Sequence, residues 1–269
     1  MNTPVEISPA VKRLLRTLAR KYEIACFAEG DPSCFLRRYP APRDAEIAAF
    51  IAAMVAFGRR DQILEKLNFI FKSIDRAGNG PAEWILSRKF RKDFPDSAEK
   101  FYRFYSYADM RTFFEELRAV LASSGSLGAH FKTLYATRGT SPEPANERLR
   151  LAGLISGAFP KSRIVSKGKD AACKRIHLFL RWMVRTDSPV DLGLWTWANP
   201  RDLLIPLDTH VLAEASRLGL FGKEHIKKPV TAGTAKNALA LTDALLGIFP
   251  GDPCKGDFAL FGLGVDNAR

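Results

Sequence analysis

Two segments of the sequence place an ionisable side chain where a helix would begin, and these are the positions at which chemistry could be done. In FPKSRIVSKGKDAACKRIHLFLRWMVRTD a basic, glycine-containing turn runs into an apolar helix. There Ile176, Phe179, Leu180 and Met183 share one face, and Lys174 lies in the first turns. A helix N-terminus carries unpaired backbone N–H groups, so beside lysines it is a natural seat for phosphate. In IPLDTHVLAEASRLGLF, Asp208 stands immediately before a periodic helix, with Pro206 shaping the approach and Gly219 the exit. Asp is among the commonest N-caps, and that role alone would account for it. A capping carboxylate is also held rigid by backbone N–H bonds that favour its ionised form, which suits it to stabilise a nearby cation. The two roles are compatible.

Charge points the same way. The chain holds 41 Lys+Arg against 29 Asp+Glu, a net charge of +12 and a pI near 9.7. Such an excess favours a polyanionic partner, because each neutralised phosphate releases a condensed counterion; solubility alone is the alternative reading. Half of the excess falls between Phe159 and Asp187, where eight cations face two anions. Lys161, Lys167, Lys169 and Arg175 are the candidate phosphate contacts, with Gly168 in the turn between them, against the alternative of an ordinary solvated face. The four histidines and four cysteines (Cys26, Cys34, Cys173, Cys254) show neither metal-ligand spacing nor a disulfide framework, so no metal is expected. Gly-rich nucleotide motifs are absent too.

The elements that must position these groups read as helices throughout, since apolar residues recur at helical spacing and period-two alternation is scarce. The spacing predicts helices over 10–22, 44–57, 61–75, 81–87, 109–122, 127–136, 144–158, 171–185, 209–218, 231–248 and 253–263. In the second, Asp44 serves as N-cap, Ile47, Phe50, Ile51, Met54 and Val55 form a buried stripe, and Gly58 is the stop. The expected class is all-α, a single two-lobed domain over 1–269 with a cleft between lobes. Its best lobe boundary is the turn-rich loop near 137–147. One stretch, KFRKDFPDSAEKFYRFYSYADMRTFF, interleaves cations and rings as a base-stacking surface does. Phe101, Phe104 and Tyr105 would share one helical face and Phe113 with Leu117 another, so core packing is the preferred reading. The N-terminal residues have no apolar signal core, and no long apolar run occurs, so a cytoplasmic, non-membrane protein is expected.

PLDTHV resembles the signature of the helix-hairpin-helix DNA glycosylases, the superfamily of endonuclease III and the 8-oxoguanine glycosylases, in which an Asp opens a helix in a similar context. The order of parts over 160–220 is similar as well: a basic hairpin-like turn, Lys174, an apolar helix, a loop, then Asp208. ACKRIHLFLRWMVR, PLDTHV and DFALFGLGV also look like a bacterial family of unknown function related to that superfamily, a likeness spanning most of the chain. The sequence departs from the usual hairpin, Leu-Pro-Gly-Val-Gly-x-Lys, by offering IVSKGKDAACK, which leaves Lys169 as a competitor to Lys174. The 34-residue separation of Lys174 and Asp208 is similar to that in the archaeal 8-oxoguanine glycosylases. The closely spaced C-terminal cysteines of endonuclease III are missing, so no iron–sulfur cluster and no other cofactor is expected.

The resemblance implies base excision from damaged double-stranded DNA by a monomer. Lys174, as a neutral amine, would attack the sugar of a flipped nucleotide and form a Schiff base with associated lyase activity, the substrate being an oxidised purine such as 8-oxoguanine. Asp208 would deprotonate or orient the amine, and burial beside Lys169 and Arg175 would favour its neutral form. His210 could contact the DNA backbone. Trp182, Trp195 and Trp197 could stack the flipped base, although tryptophans in an apolar helix and its following loop are more often core. The alternatives are a non-catalytic DNA-binding protein of the same fold and a basic helical interaction protein.

Overall fold

The computed structural model describes residues 5–137, 146–168 and 170–267, the side chains of Cys26 and Ala28 excepted. Those residues are mostly helical, with twelve α-helices and one two-stranded hairpin among them. The first half runs α1 (Pro9–Tyr22), α2 (Pro42–Val55), α3 (Arg60–Ala77), α4 (Gly80–Leu86), strands β1 (Lys100–Tyr102) and β2 (Tyr105–Ser106), α5 (Tyr107–Ser124) and α6 (Leu127–Ala136). The second half runs α7 (Arg150–Ala158), α8 (Lys174–Val184), α9 (Thr209–Arg217), α10 (Glu224–Lys227), α11 (Ala235–Leu246) and α12 (Lys255–Asn267). No helix among the described residues is long and apolar enough to cross a membrane.

The helices expected from periodicity are present, and their ends show what local pattern does not carry. Asp44 does not cap its own helix, which starts at Pro42 behind Ala41. Its carboxylate reaches across to accept from the Ala82 N–H at 2.8 Å and satisfies the start of α4 instead. The expected stripe of α2 is buried, but so is the rest of the helix from Ala45 to Val55, because α2 is enclosed on every side. The segment around Phe101 to Tyr105 is a hairpin rather than a helix, with Tyr102 paired to Tyr105 and Arg103 at a φ of 54°. Phe101 and Tyr105 are buried, whereas Phe104 points outward. The expected helix from 171 starts only at Lys174, since Cys173 is left-handed (φ 42°) and Ala171 is bridged to Thr234.

Buried apolar residues form two clusters. One is centred on α2, α5 and α8 and runs from Phe35 to Leu203, with Cys254 added. The other joins α1, α9, α11 and α12. The second cluster takes Leu15, Leu18 and Ala19 from α1 and Ala172 from before α8, and otherwise begins at Leu204, directly after Leu203 of the first. Of the boundary expected at 137–147, residues 138–145 lie outside the described residues, and the helices that precede and follow it, α6 and α7, pack in the first cluster. Between the clusters runs a buried ionic network. Arg181 pairs with Asp191 (3.3 Å) and Asp257, and Arg185 with Asp191, Glu23 (2.5 Å) and Asp252 (2.9 Å).

Candidate active site

Lys174 is the first residue of α8, and Asp208 is the N-cap of α9. The left-handed Cys173 stops the helix from starting earlier, and the strand-like segment before it is pinned to the start of α11. The Ala172 N–H donates to the Gly233 carbonyl (3.0 Å) and the Ala235 N–H to the Asp170 carbonyl (2.7 Å). On the other side, Leu204, Ile205 and Leu207 are buried in the second cluster and fix the extended approach to Asp208. These anchors bring the two groups together: Lys174 Nζ lies 2.9 Å from Asp208 Oδ2. The second carboxylate oxygen, Oδ1, accepts from the Val211 N–H at 2.9 Å. The cap and the cation partner are therefore one side chain using its two oxygens separately.

The pair sits in a cleft of about 1090 Å³. Phe27, Phe57, Phe258 and Phe261 line it, with Arg60, Arg163, Lys167, Arg175 and His210 among its polar groups. The Lys174 side chain is 36% exposed and that of Asp208 13%, so the amine is open to the cleft while the carboxylate is largely enclosed. Among the described residues no group of three or more His, Cys, Asp or Glu is arranged to hold a metal ion.

Residues 31–266 match the family described as "Protein of unknown function (DUF2400)". The chain belongs to the DUF2400 family. Neither a search of curated proteins nor one of solved structures gave a match.

The remaining expected site residues of this DUF2400 chain divide sharply. Arg175 lines the cleft, but its guanidinium donates to the Met54 carbonyl (2.6 Å) and the Tyr105 hydroxyl (3.2 Å) and stacks over Phe57 at 4.8 Å. Lys167 also borders the cleft while its ammonium closes the end of α7, donating to the carbonyls of Ser156 (2.8 Å) and Phe159. Partial burial holds that amine below its ordinary range. Gly168 is an exposed turn residue at φ 110°, a conformation that L side chains rarely adopt. His210 is exposed on the first turn of α9, edge-on to Phe261. Lys161 is exposed away from the cleft lining, with its backbone N–H on Glu116 (2.8 Å). Lys169 lies outside the described residues.

The tryptophans do not form a base pocket. Trp182 and Trp195 are 1% and 0% exposed, and none of Trp182, Trp195 and Trp197 lines the cleft. Trp195 donates its indole N–H to Glu46 (2.8 Å), and Trp197 stacks on Trp195 at 5.2 Å. Their faces turn toward the first apolar cluster because the 187–195 loop folds back on α8, with the Leu192 N–H donating to the Trp182 carbonyl and the Trp195 N–H to that of Met183.

Two cleft features escaped the sequence. Asp257 lines the cleft from α12 although it is 5% exposed. Burial pushes its carboxyl up to about 6, with the Arg181 guanidinium opposing the rise and the Asp208 charge adding to it. The aromatic wall of Phe27, Phe258 and Phe261 holds together by edge contacts of 5.3 and 6.0 Å. DFALFGLGV was the visible sign of both, but nothing in its spacing says that its Asp faces Lys174.

Proposed function

We propose that this chain excises a damaged base from duplex DNA, with Lys174 as the nucleophile and Asp208 as its proton acceptor, in the manner of a helix-hairpin-helix glycosylase with lyase activity. The observation that carries the reading is the 2.9 Å Lys174–Asp208 contact at the wall of an aromatic-lined cleft large enough for a nucleotide. The two apolar clusters with this cleft where they meet support a two-lobed arrangement of that type.

A base inside a duplex is out of reach, so the nucleotide must be extruded, at a cost of a few kcal/mol that is smaller for a damaged pair. Phe27, Phe258 and Phe261 offer an apolar wall for the extruded base, and Arg60 and Arg163 on the cleft offer phosphate contacts. Attack requires an unprotonated amine, and Asp208 Oδ2 is within reach of the proton that must leave Lys174 Nζ. The new bond joins Nζ to the sugar carbon that bore the base. The electron pair of the broken glycosidic bond leaves with the base, which is protonated. Opening of the sugar then gives a Schiff base, from which elimination expels the 3′ phosphate. An oxidised purine such as 8-oxoguanine is the proposed substrate class.

The test is incubation with duplexes carrying 8-oxoguanine, uracil or an abasic site, followed by borohydride. A covalent adduct that disappears in Lys174→Ala is the expected result. An adduct dependent on Lys169 would move the nucleophile to the turn. A second reading, DNA binding without catalysis, is favoured by the completeness of the resting contacts: Asp208 is satisfied as a cap and Lys174 as its ion pair. Duplex binding with no base release and no adduct would establish it.

A further inference from the structure

The hairpin of β1 and β2 turns on two residues, Arg103 and Phe104. Phe104 is 63% exposed, the most exposed large apolar side chain among the described residues. Its ring packs beside Tyr105 at 4.5 Å and Phe57 at 5.5 Å, and most of its surface meets solvent. Arg103 holds the turn in the left-handed region at φ 54°, a conformation that costs a non-glycine residue free energy and persists only where surrounding contacts impose it.

Those contacts tie the turn to the cleft. The Tyr102 hydroxyl donates to the Phe57 carbonyl, and Tyr102 and Phe57 pack edge to face at 5.0 Å. Arg103 lies along Gly58, where an added Cβ would meet the Arg103 Cδ at 3.1 Å and the Tyr102 hydroxyl at 2.9 Å. Phe57, Gly58 and Arg60 are cleft residues. Tyr105 accepts from Arg175, the residue after Lys174, and donates to the Arg163 carbonyl at 3.2 Å. The exposed ring thus stands on a rigid support at the cleft rim, fastened to the same arginine that follows the candidate nucleophile.

Its surroundings are basic. Arg103 adjoins it in the turn and Arg60 and Arg163 are exposed on the cleft lining, with Asp61 engaged by Arg59 (2.8 Å) and Asp109 near Arg163 (3.5 Å). An exposed aromatic ring on a rim that also carries these arginines fits a polyanion that offers stacking surfaces. Apolar side chains inserted at a base step unstack it, and a ring can replace part of the stacking lost when a base leaves the helix.

We propose that Phe104 is a wedge that enters the base stack of duplex DNA and fills the space left when a nucleotide is drawn into the cleft. This rests on the DNA reading above, and its test is separable from excision. The probe is a short duplex in which 2-aminopurine flanks a tetrahydrofuran abasic analogue, compared with an intact duplex of the same sequence. The parent protein should change the 2-aminopurine fluorescence on binding. Phe104→Ala should lose most of that change and bind the abasic-analogue duplex roughly tenfold more weakly. Its affinity for intact duplex should fall by no more than about twofold, because phosphate contacts dominate there. Phe104→Trp should restore the signal, which loss of fold would not allow. A Phe104→Ala protein with the parent's signal and affinity overturns the wedge, even where borohydride still traps Lys174. A parent protein that binds neither duplex overturns the wedge and the DNA reading together, and one that binds both without a fluorescence change overturns the wedge alone.

Discussion

At Asp208 one carboxylate divides its oxygens between a backbone N–H and an ammonium, so loss of charge and loss of the cap can be separated by substitution. Asp208→Asn keeps a capping oxygen and removes the proton acceptor; base release should fall by roughly 10²- to 10⁴-fold in a single-turnover assay while the thermal midpoint stays close to the parent's. Asp208→Ala should add a loss of about 1 kcal/mol in urea unfolding. Two buried groups give a pH test with opposite signs. His177 is 1% exposed with Nδ1 unpartnered, and burial lowers it from 6.5 to about 4. The folded state therefore resists its protonation, and stability is lost as pH falls from 6.5 towards 4. Asp257 rises from 3.8 to about 6, so the folded state holds its proton more tightly, and stability is lost as pH rises through that interval. Relative to the parent, His177→Gln should gain stability as the pH is lowered across its window, and Asp257→Asn as it is raised across the other. Urea midpoints at a series of pH values read both; parallel curves for parent and variants would contradict the assignments.

The elements around the site depend on two close approaches that only glycine allows. Gly128, at the start of α6, donates its N–H to Glu46 of α2 at 3.1 Å, and the same carboxylate accepts from Trp195. A Cβ at 128 would stand 2.5 Å from Glu46 Oε1 and 2.8 Å from the indole nitrogen. Gly128→Ala should then destabilise by about 1–3 kcal/mol, through overpacking and disturbance of a buried carboxylate held by the Gly128 and Trp195 N–H groups, as read by the urea midpoint. The N-terminal and C-terminal helices meet in a comparable way, with Gly262 of α12 lying against the Tyr22 ring at the end of α1, where a Cβ would approach to 2.3 Å. The helix that carries Asp257 is thereby packed against α1 before it faces the cleft.

Across the whole molecule, two apolar clusters meet at a seam held by charge. Arg181 and Arg185 project from α8 to the loop at Asp191, to Asp252 and Asp257 at the C-terminal side, and Arg185 also to Glu23 just after α1. Removing one partner of a buried pair leaves an uncompensated charge. Arg181→Met should therefore cost roughly 3–5 kcal/mol by chemical denaturation. The double variant Arg181→Met with Asp257→Asn should recover part of the loss, since Asp191 keeps Arg185. Equal stability of the single and double variants would show that the seam is not coupled in this way. The seam also sets the cleft: Arg181 lies over Phe258 at 4.4 Å and fixes Asp257, so the wall opposite Lys174 is held by the same network that joins the clusters.

The sequence by itself determined the helical class, the buried stripes of α2 and α8, the cap at Asp208 and the place of Lys174 near the start of its helix, because each is a local consequence of 3.6-residue periodicity and capping chemistry. Tertiary structure decided what those elements face. It turned Asp44 to the neighbouring helix, sealed Trp182 and Trp195 into the core, and employed Arg175 and Lys167 as ties for carbonyls of α2 and α7. It also brought Asp257 to Lys174 and Asp208 from the far end of the chain, and left Phe104 outside on a hairpin turn where core packing was expected. The physical reason is common to all of these. Period and cap are written in neighbouring residues, whereas partner and burial depend on contacts between residues far apart in the chain, which no local pattern records.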